Sequence, residues 1–296
     1  MSQQLSEITH AMERHIPVSE REIMDCRGVP LSLNQGTVIM GILNVTPDSF
    51  SDGGRYIDPE AAVEQARRMV AEGAEIIDIG GESTRPGGAA VSLEEELNRV
   101  IPAVRALKEA GITVPLSIDT YKSEVARQAL DAGAHILNDI WGLQRDAEMA
   151  KVAADYGCPI VVMHNRTEAV YDNFIPDVLQ DLQKSIRLAH EAGIRDEQII
   201  LDPGIGFAKT YEHNLQLMNE LHRIVALGYP VLLGTSRKSM IRTALQLPPD
   251  DVVEGTAATV TMGIVQGCQI MRVHDVKAIK RVAVMTDAIV KHRLSV

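Results

Sequence analysis

Short, continuously apolar runs rich in β-branched residues recur along the chain at residues 38–43, 76–79, 114–118, 135–137, 160–163, 199–201, 231–233 and 270–273. They do not alternate apolar with polar positions, as expected of parallel strands buried on both faces. Between the runs the period becomes helical. Ala62, Val63, Ala66, Met69 and Val70 share one helical face, opened by Asp58-Pro59 and closed by Gly73. Ser92-Leu93-Glu94-Glu95 offers a capping box for a helix that continues to Ala110 and stops at Gly111. Further helices are predicted over 123–132, 146–156, 176–192, 212–227, 252–266 and 276–292.

Strand and helix alternate from Val38 to Val296 without a Pro- or Ser-rich linker, which builds a parallel sheet with crossover helices. Eight such units favour closure into an α/β (β/α)8 TIM barrel over an open doubly wound sheet. Residues 37–296 are therefore expected to form a single barrel domain. Residues 1–36 are expected to be an N-terminal extension in which segment 22–33, centred on Arg27-Gly28, forms a hairpin plugging the N-terminal end of the barrel.

Composition narrows the function more than the fold. The chain of 296 residues is 45% hydrophobic, and no run nears the roughly 18 apolar residues a membrane helix requires. Residues 1–14 lack the basic start and apolar core of a secretory signal, so a cytoplasmic location is expected. Cys26, Cys158 and Cys268 are far apart and odd in number; they read as reduced packing residues. A net charge of −11 opposes nucleic-acid binding, so an anionic small substrate would need a local basic pocket.

Candidate chemistry lies just past the strands. Asn44 follows the first, Gly80 to Gly87 the second, Asp119 the third and Asn138-Asp139 the fourth. His164-Asn165-Arg166 follows the fifth, Asp202-Pro203-Gly204-Ile205-Gly206 the sixth, Ser236-Arg237-Lys238 the seventh, and Arg272 and His274 close the eighth. Barrel enzymes assemble their sites at that end, and polar side chains at all the strand ends point to one convergent site. Asp119, Asp202 and Lys238 also abut apolar runs, where an unpaired charge is costly.

The glycines after the sixth strand suggest two phosphate motifs and satisfy neither. A P-loop needs Gly where Ala208 precedes Lys209, and the dinucleotide fingerprint beginning at Gly204 needs Gly where Lys209 stands. These glycines are expected to let backbone approach a flat ligand closely. The long, hydroxyl-rich segments around 44–56 and 83–91 have the composition of closing lids.

These motifs together resemble the dihydropteroate synthase family of the folate pathway. The resemblance runs from Met40 to Asp275 and rests on Met40 to Gly54, Gly80 to Gly87, Ser117-Ile118-Asp119-Thr120, Asn138-Asp139, Asp202 to Phe207, Gly234 to Ser239 and Arg272-Val273-His274-Asp275. It implies that p-aminobenzoate displaces pyrophosphate from a dihydropterin diphosphate. It further implies that Asp119, Asn138, Asp202 and Lys238 bind the pterin, that Asn44 with Mg²⁺ and Arg85, Arg272 and His274 hold the diphosphate, and that Thr84, Pro86 and Ser239 border the p-aminobenzoate pocket. Asp119, Lys238 and Arg85 would carry the catalysis. The implied partners are these small molecules and a second copy of the chain, with no nucleic acid or membrane. Ala208 departs from the Gly often found in the family, and His164 receives no role.

The chemistry agrees with these roles. A carboxylate such as Asp202 offers two coplanar acceptors to adjacent ring N–H donors. Pyrophosphate departure would leave positive charge on the methylene carbon, stabilised by Asp119 and nearby dipoles while closed loops exclude water. Two rival expectations are a pterin-dependent corrinoid methyltransferase, which has no need of a diphosphate site, and a catalytically silent pterin-binding paralogue, which would be expected to lose Asn44, Arg85 or Lys238.

Overall fold

The computed structural model describes residues 23–46, 58–82 and 91–294. A two-stranded hairpin, β1 (Ile23–Cys26) and β2 (Val29–Ser32), precedes eight parallel strands: β3 (Val38–Asn44), β4 (Ile76–Gly80), β5 (Leu116–Asp119), β6 (Ile136–Asp139), β7 (Ile160–Met163), β8 (Ile199–Asp202), β9 (Leu232–Leu233) and β10 (Ile270–Val273). The sheet runs β8-β7-β6-β5-β4-β3-β10-β9. A parallel bridge between Leu201 and Val231 joins its two ends, so the sheet closes as a (β/α)8 barrel.

The helices are α1 (Pro59–Ala71), α2 (Leu93–Glu109), α3 (Ser123–Ala132), α4 (Glu148–Tyr156), α5 (Phe174–Glu191), α6 (Tyr211–Asn219), α7 (Leu221–Val225), α8 (Ser239–Leu245), α9 (Val253–Val265) and α10 (Val276–Leu294). Asp58 caps α1 by accepting from Glu60 N–H, and Ser92 caps α2 by accepting from Glu95 N–H. The helix predicted over 212–227 is broken into α6 and α7. Glu220 N–H bonds to Leu217 O, a tighter turn than an α-helix makes, and Leu221 and Ile224 rotate into the core. The short α8 after Lys238 has no counterpart among the predicted helices.

The strands read as continuously apolar because the two faces of each bury separate cores. Ile39, Leu43, Ile77, Ile79, Leu137 and Val162 belong to the outer core, shared with the helices. Val38, Met40, Ile76, Ile136, Val161, Ile200, Leu232 and Ile270 belong to the inner one. That inner cluster also contains Met24, Cys26, Leu31 and Leu33, so the hairpin supplies apolar side chains to the barrel interior. Its turn places Arg27 at φ 53° and Gly28 at φ 89°, the pair of left-handed residues a tight hairpin favours. Arg27 Nη1 then donates to Ala134 O at 2.5 Å and Leu130 O at 2.9 Å, fastening the hairpin to α3 and its exit.

Side chains two residues apart on a strand share a face. Asp78, Asn138, Asp202 and Arg272 therefore stand one step above Ile76, Ile136, Ile200 and Ile270, and a charged layer lies on an apolar floor.

Candidate active site

Asp78, on β4, is fully buried, and its Oδ2 accepts from Arg272 Nε at 2.6 Å and from Asn138 Nδ2 at 3.1 Å. Arg272 Nη2 donates to Asp119 Oδ2 at 2.7 Å. One guanidinium thus ties together strands β4, β5 and β10. Asp78 Oδ1 and Asp119 Oδ1 are buried without hydrogen-bond partners, which leaves acceptors for the N–H groups of a ligand. Burial lifts the Asp119 carboxyl to about 7, partly offset by Arg272. Burial opposes the charge on Arg272 as well, but Asp78 and Asp119 more than compensate and raise its pKa.

On the other side of this layer, Asp202 ends β8. Its Oδ1 accepts from Gly204 N–H at 2.7 Å, and burial raises its pKa against the opposing pull of Lys238. Lys238 follows β9 and donates through Nζ to Ile205 O. Its ammonium lies 4.6 Å from the centre of the Phe207 ring. Burial lowers Lys238 to about 8, the Asp202 carboxylate opposing the shift. Gly234, on the inward face beside them, keeps the space open: a Cβ there would meet Arg272 Cβ at 3.8 Å and Asp202 Oδ2 at 4.0 Å.

The register places Asn44 opposite Gly80, Gly80 opposite Asp119 and Asp119 opposite Asn138, so three of the expected residues lie along one row across neighbouring strands. His274 follows β10, with Nδ1 3.0 Å from Ser236 Oγ, and Ser239 is the first residue of α8. Arg272, expected to hold the diphosphate, lies inside the barrel with Nε and Nη2 already committed to carboxylates. Thr84, Arg85 and Pro86, and most of the two expected lids, lie outside the described residues.

Asp78 was absent from the expected site. Its signal was a lone carboxylate inside the run Ile76-Ile77-Asp78-Ile79, where burial demands a partner. A second missed group stands at the end of β4: Lys122 Nζ donates to Glu82 at 2.6 Å and also to the buried Glu96, while Arg99 Nη1 donates to Gly81 O at 2.7 Å. These contacts fix the backbone that leads into the second loop.

Comparison with known proteins gives this arrangement a family. The profile of pterin binding enzymes matches residues 40–274. The chain belongs to that family. It is 56% identical to the dihydropteroate synthase of Clostridium beijerinckii, over 88% of this chain and 97% of that protein. It is 55% identical to that of Bacillus subtilis, over 92% and 95%. Among solved structures, the dihydropteroate synthase of Clostridium difficile, determined in the presence of pteroic acid, superposes with a TM-score of 0.84 at 48% identity, covering 86% of this chain and 97% of that one. That of Xanthomonas albilineans with 4-aminobenzoic acid gives 0.86 at 42%, covering 90% and 98%.

Proposed function

We propose that the chain is a dihydropteroate synthase, a transferase that joins 6-hydroxymethyl-7,8-dihydropterin diphosphate to p-aminobenzoate and releases pyrophosphate. The observation that carries this reading is the buried Asp119, Asn138 and Asp202 with the half-buried Lys238 at the C-terminal end of the barrel, in a chain of this family. A pterin presents adjacent N–H donors on one edge and acceptors elsewhere on the ring. Asp202 and the unpartnered Asp119 Oδ1 meet the donors, and the Lys238 ammonium meets an acceptor. Asn138 uses Nδ2 on Asp78, so its carbonyl oxygen is left to accept.

As the carbon–oxygen bond to the diphosphate breaks, positive charge grows on the methylene carbon and spreads into the electron-rich ring. Asp119 stabilises it as a carboxylate in a low-dielectric site. Arg272 retains Nη1, and His274 stands above it, for the departing anion. The amine of p-aminobenzoate is neutral at pH 7, attacks the methylene carbon and then gives up a proton, so the site needs no strong base. Thr84, Pro86 and Ser239 are assigned to the arylamine pocket and Arg85 to the leaving group. Asn44 offers a hard amide oxygen of the kind that a largely hydrated Mg²⁺ accepts, and the bound ion would neutralise diphosphate charge.

Among the described residues no helix is long and apolar enough to cross a membrane, which agrees with the cytoplasmic location we assign. A homodimer is assigned from exposed apolar side chains on two adjoining helices: Met262 and Val265 of α9, and Val284, Met285 and Ile289 of α10. The Thr261 and Thr286 hydroxyls, 3.4 Å apart, set these helices side by side.

The test is to supply purified protein with the dihydropterin diphosphate, p-aminobenzoate and Mg²⁺ and to follow pyrophosphate and dihydropteroate together. Equal release of both is expected. Methyl transfer to a corrinoid, or pterin binding without turnover, would overturn the reading.

A further inference from the structure

Behind β7 and β8 lies a cluster of titratable groups that the chemistry above does not use. Lys209 Nζ donates to His164 Nδ1 at 2.8 Å, to Gly204 O at 2.9 Å and to Phe207 O at 3.0 Å. Burial lowers Lys209 to about 7 against the pull of the Asp202 carboxylate; as an ammonium it has three N–H donors, and each has an acceptor here. His164 is itself buried, with Nε2 3.2 Å from Asp181 Oδ2. The carboxylate can only accept, so Nε2 carries the proton and Nδ1 the lone pair that faces Lys209. Burial pushes His164 down to about 4 and so keeps that nitrogen unprotonated at neutral pH. Arg166 Nε donates to the same Asp181 oxygen at 2.6 Å.

The two carbonyls that Lys209 gathers belong to the turn that builds the ligand pocket. Gly204, Gly206 and Ala208 take φ of 68°, 84° and 43°, a left-handed sequence that is costly for a residue with a side chain. Gly204 N–H holds Asp202, and Ile205 O holds Lys238. The Phe207 ring lies beside the Lys238 ammonium. On the outer side Tyr171 donates to Ala208 O at 2.8 Å. The turn is thus pinned from behind by one cation and contacts, in front, both charged groups that face the pterin.

We propose that Lys209 is a positioning residue of the pterin pocket: with His164 as its acceptor, its ammonium fixes turn 204–207 in the conformation that aims Asp202 and Lys238 at the ring. This rests on the reading of the pocket as a pterin site.

The experiment measures binding of 6-hydroxymethylpterin by calorimetry, well below the unfolding temperature of each protein, in wild type, Lys209→Met, His164→Leu and His164→Asn. Wild type is expected to bind. Lys209→Met and His164→Leu, which remove the donors and the acceptor, are expected to weaken binding by roughly tenfold or more, the scale of a lost charge-assisted bond. His164→Asn keeps an acceptor near Nδ1 and is expected to stay within roughly threefold of wild type. If Lys209→Met does not fold, the two His164 variants still decide the matter. Folded Lys209→Met or His164→Leu protein with wild-type affinity, or His164→Asn as weak as His164→Leu, would overturn the proposal. Failure of wild type to bind the pterin would instead overturn the reading of the pocket.

Discussion

At the scale of the residue, a few buried carboxylates divide the labour. Asp202 meets the pocket with one oxygen held by Gly204 N–H, so Asp202→Ala removes a paired acceptor from buried ring donors and is expected to abolish pterin binding in calorimetry. Asp78 lies in the same layer and holds Arg272 and Asn138. Asp78→Asn is expected to lower stability by about 1–3 kcal/mol, read from chemical denaturation, because Arg272 loses one of two buried carboxylate partners. Protonation sets a third expectation. In the proposed mechanism turnover needs Asp119 ionised and Lys238 charged, and burial places these groups at about 7 and about 8. The rate constant kcat/KM should therefore rise as pH increases through the first value and fall beyond the second. A profile flat from the acid side of the first to the alkaline side of the second would contradict these assignments.

At the scale of the element, the turn after β8 is the most constrained segment of the site. A Cβ on Gly204 would lie 1.9 Å from His164 O, at a φ of 68°. Gly111 has a similar φ of 70° but open space around it. Gly111→Ala should cost about 1–2 kcal/mol, from backbone conformation alone, whereas Gly204→Ala must also displace β7 and should cost clearly more by thermal denaturation. Equal costs would show that the contact with His164 is unimportant. The strands were legible in the sequence because both of their faces bury apolar side chains. The break at Glu220 was not, since no Gly or Pro marks it and it follows from Leu221 and Ile224 turning inward; nor was the helix α8, which is only seven residues long although Pro248-Pro249 lie just beyond its end.

At the scale of the whole molecule, closure of the barrel brings strand-end residues spread from Asn44 to His274 to one end of the sheet. The sheet joins its ends through the short β9 and the bridge from Leu201 to Val231, and the hairpin adds its apolar side chains to the inner core. The apolar face of α9 and α10 is the remaining large-scale feature. Met285, 60% exposed, sits on it, and Met285→Glu is expected to shift the protein from dimer to monomer in sedimentation or light scattering while leaving the barrel folded. A wild-type monomer at micromolar concentration would refute the assigned assembly.

The sequence by itself determined the barrel, because eight apolar runs separated by capped helices admit few closed arrangements, and it determined which strand ends carry polar groups. It also marked Asp119, Asp202 and Lys238, since a charge placed against a buried strand must find a partner, and Asn138 as a polar strand end. Only the tertiary structure decided how those partners are shared. That Asp78 and Asp119 divide one guanidinium, that Asn138 spends its donor on Asp78, and that Lys209 reaches back to His164 across 45 positions of sequence all depend on which side chains of separate strands meet inside the closed sheet. Spacing along the chain carries no record of such pairings, because they are set by register and depth in the barrel.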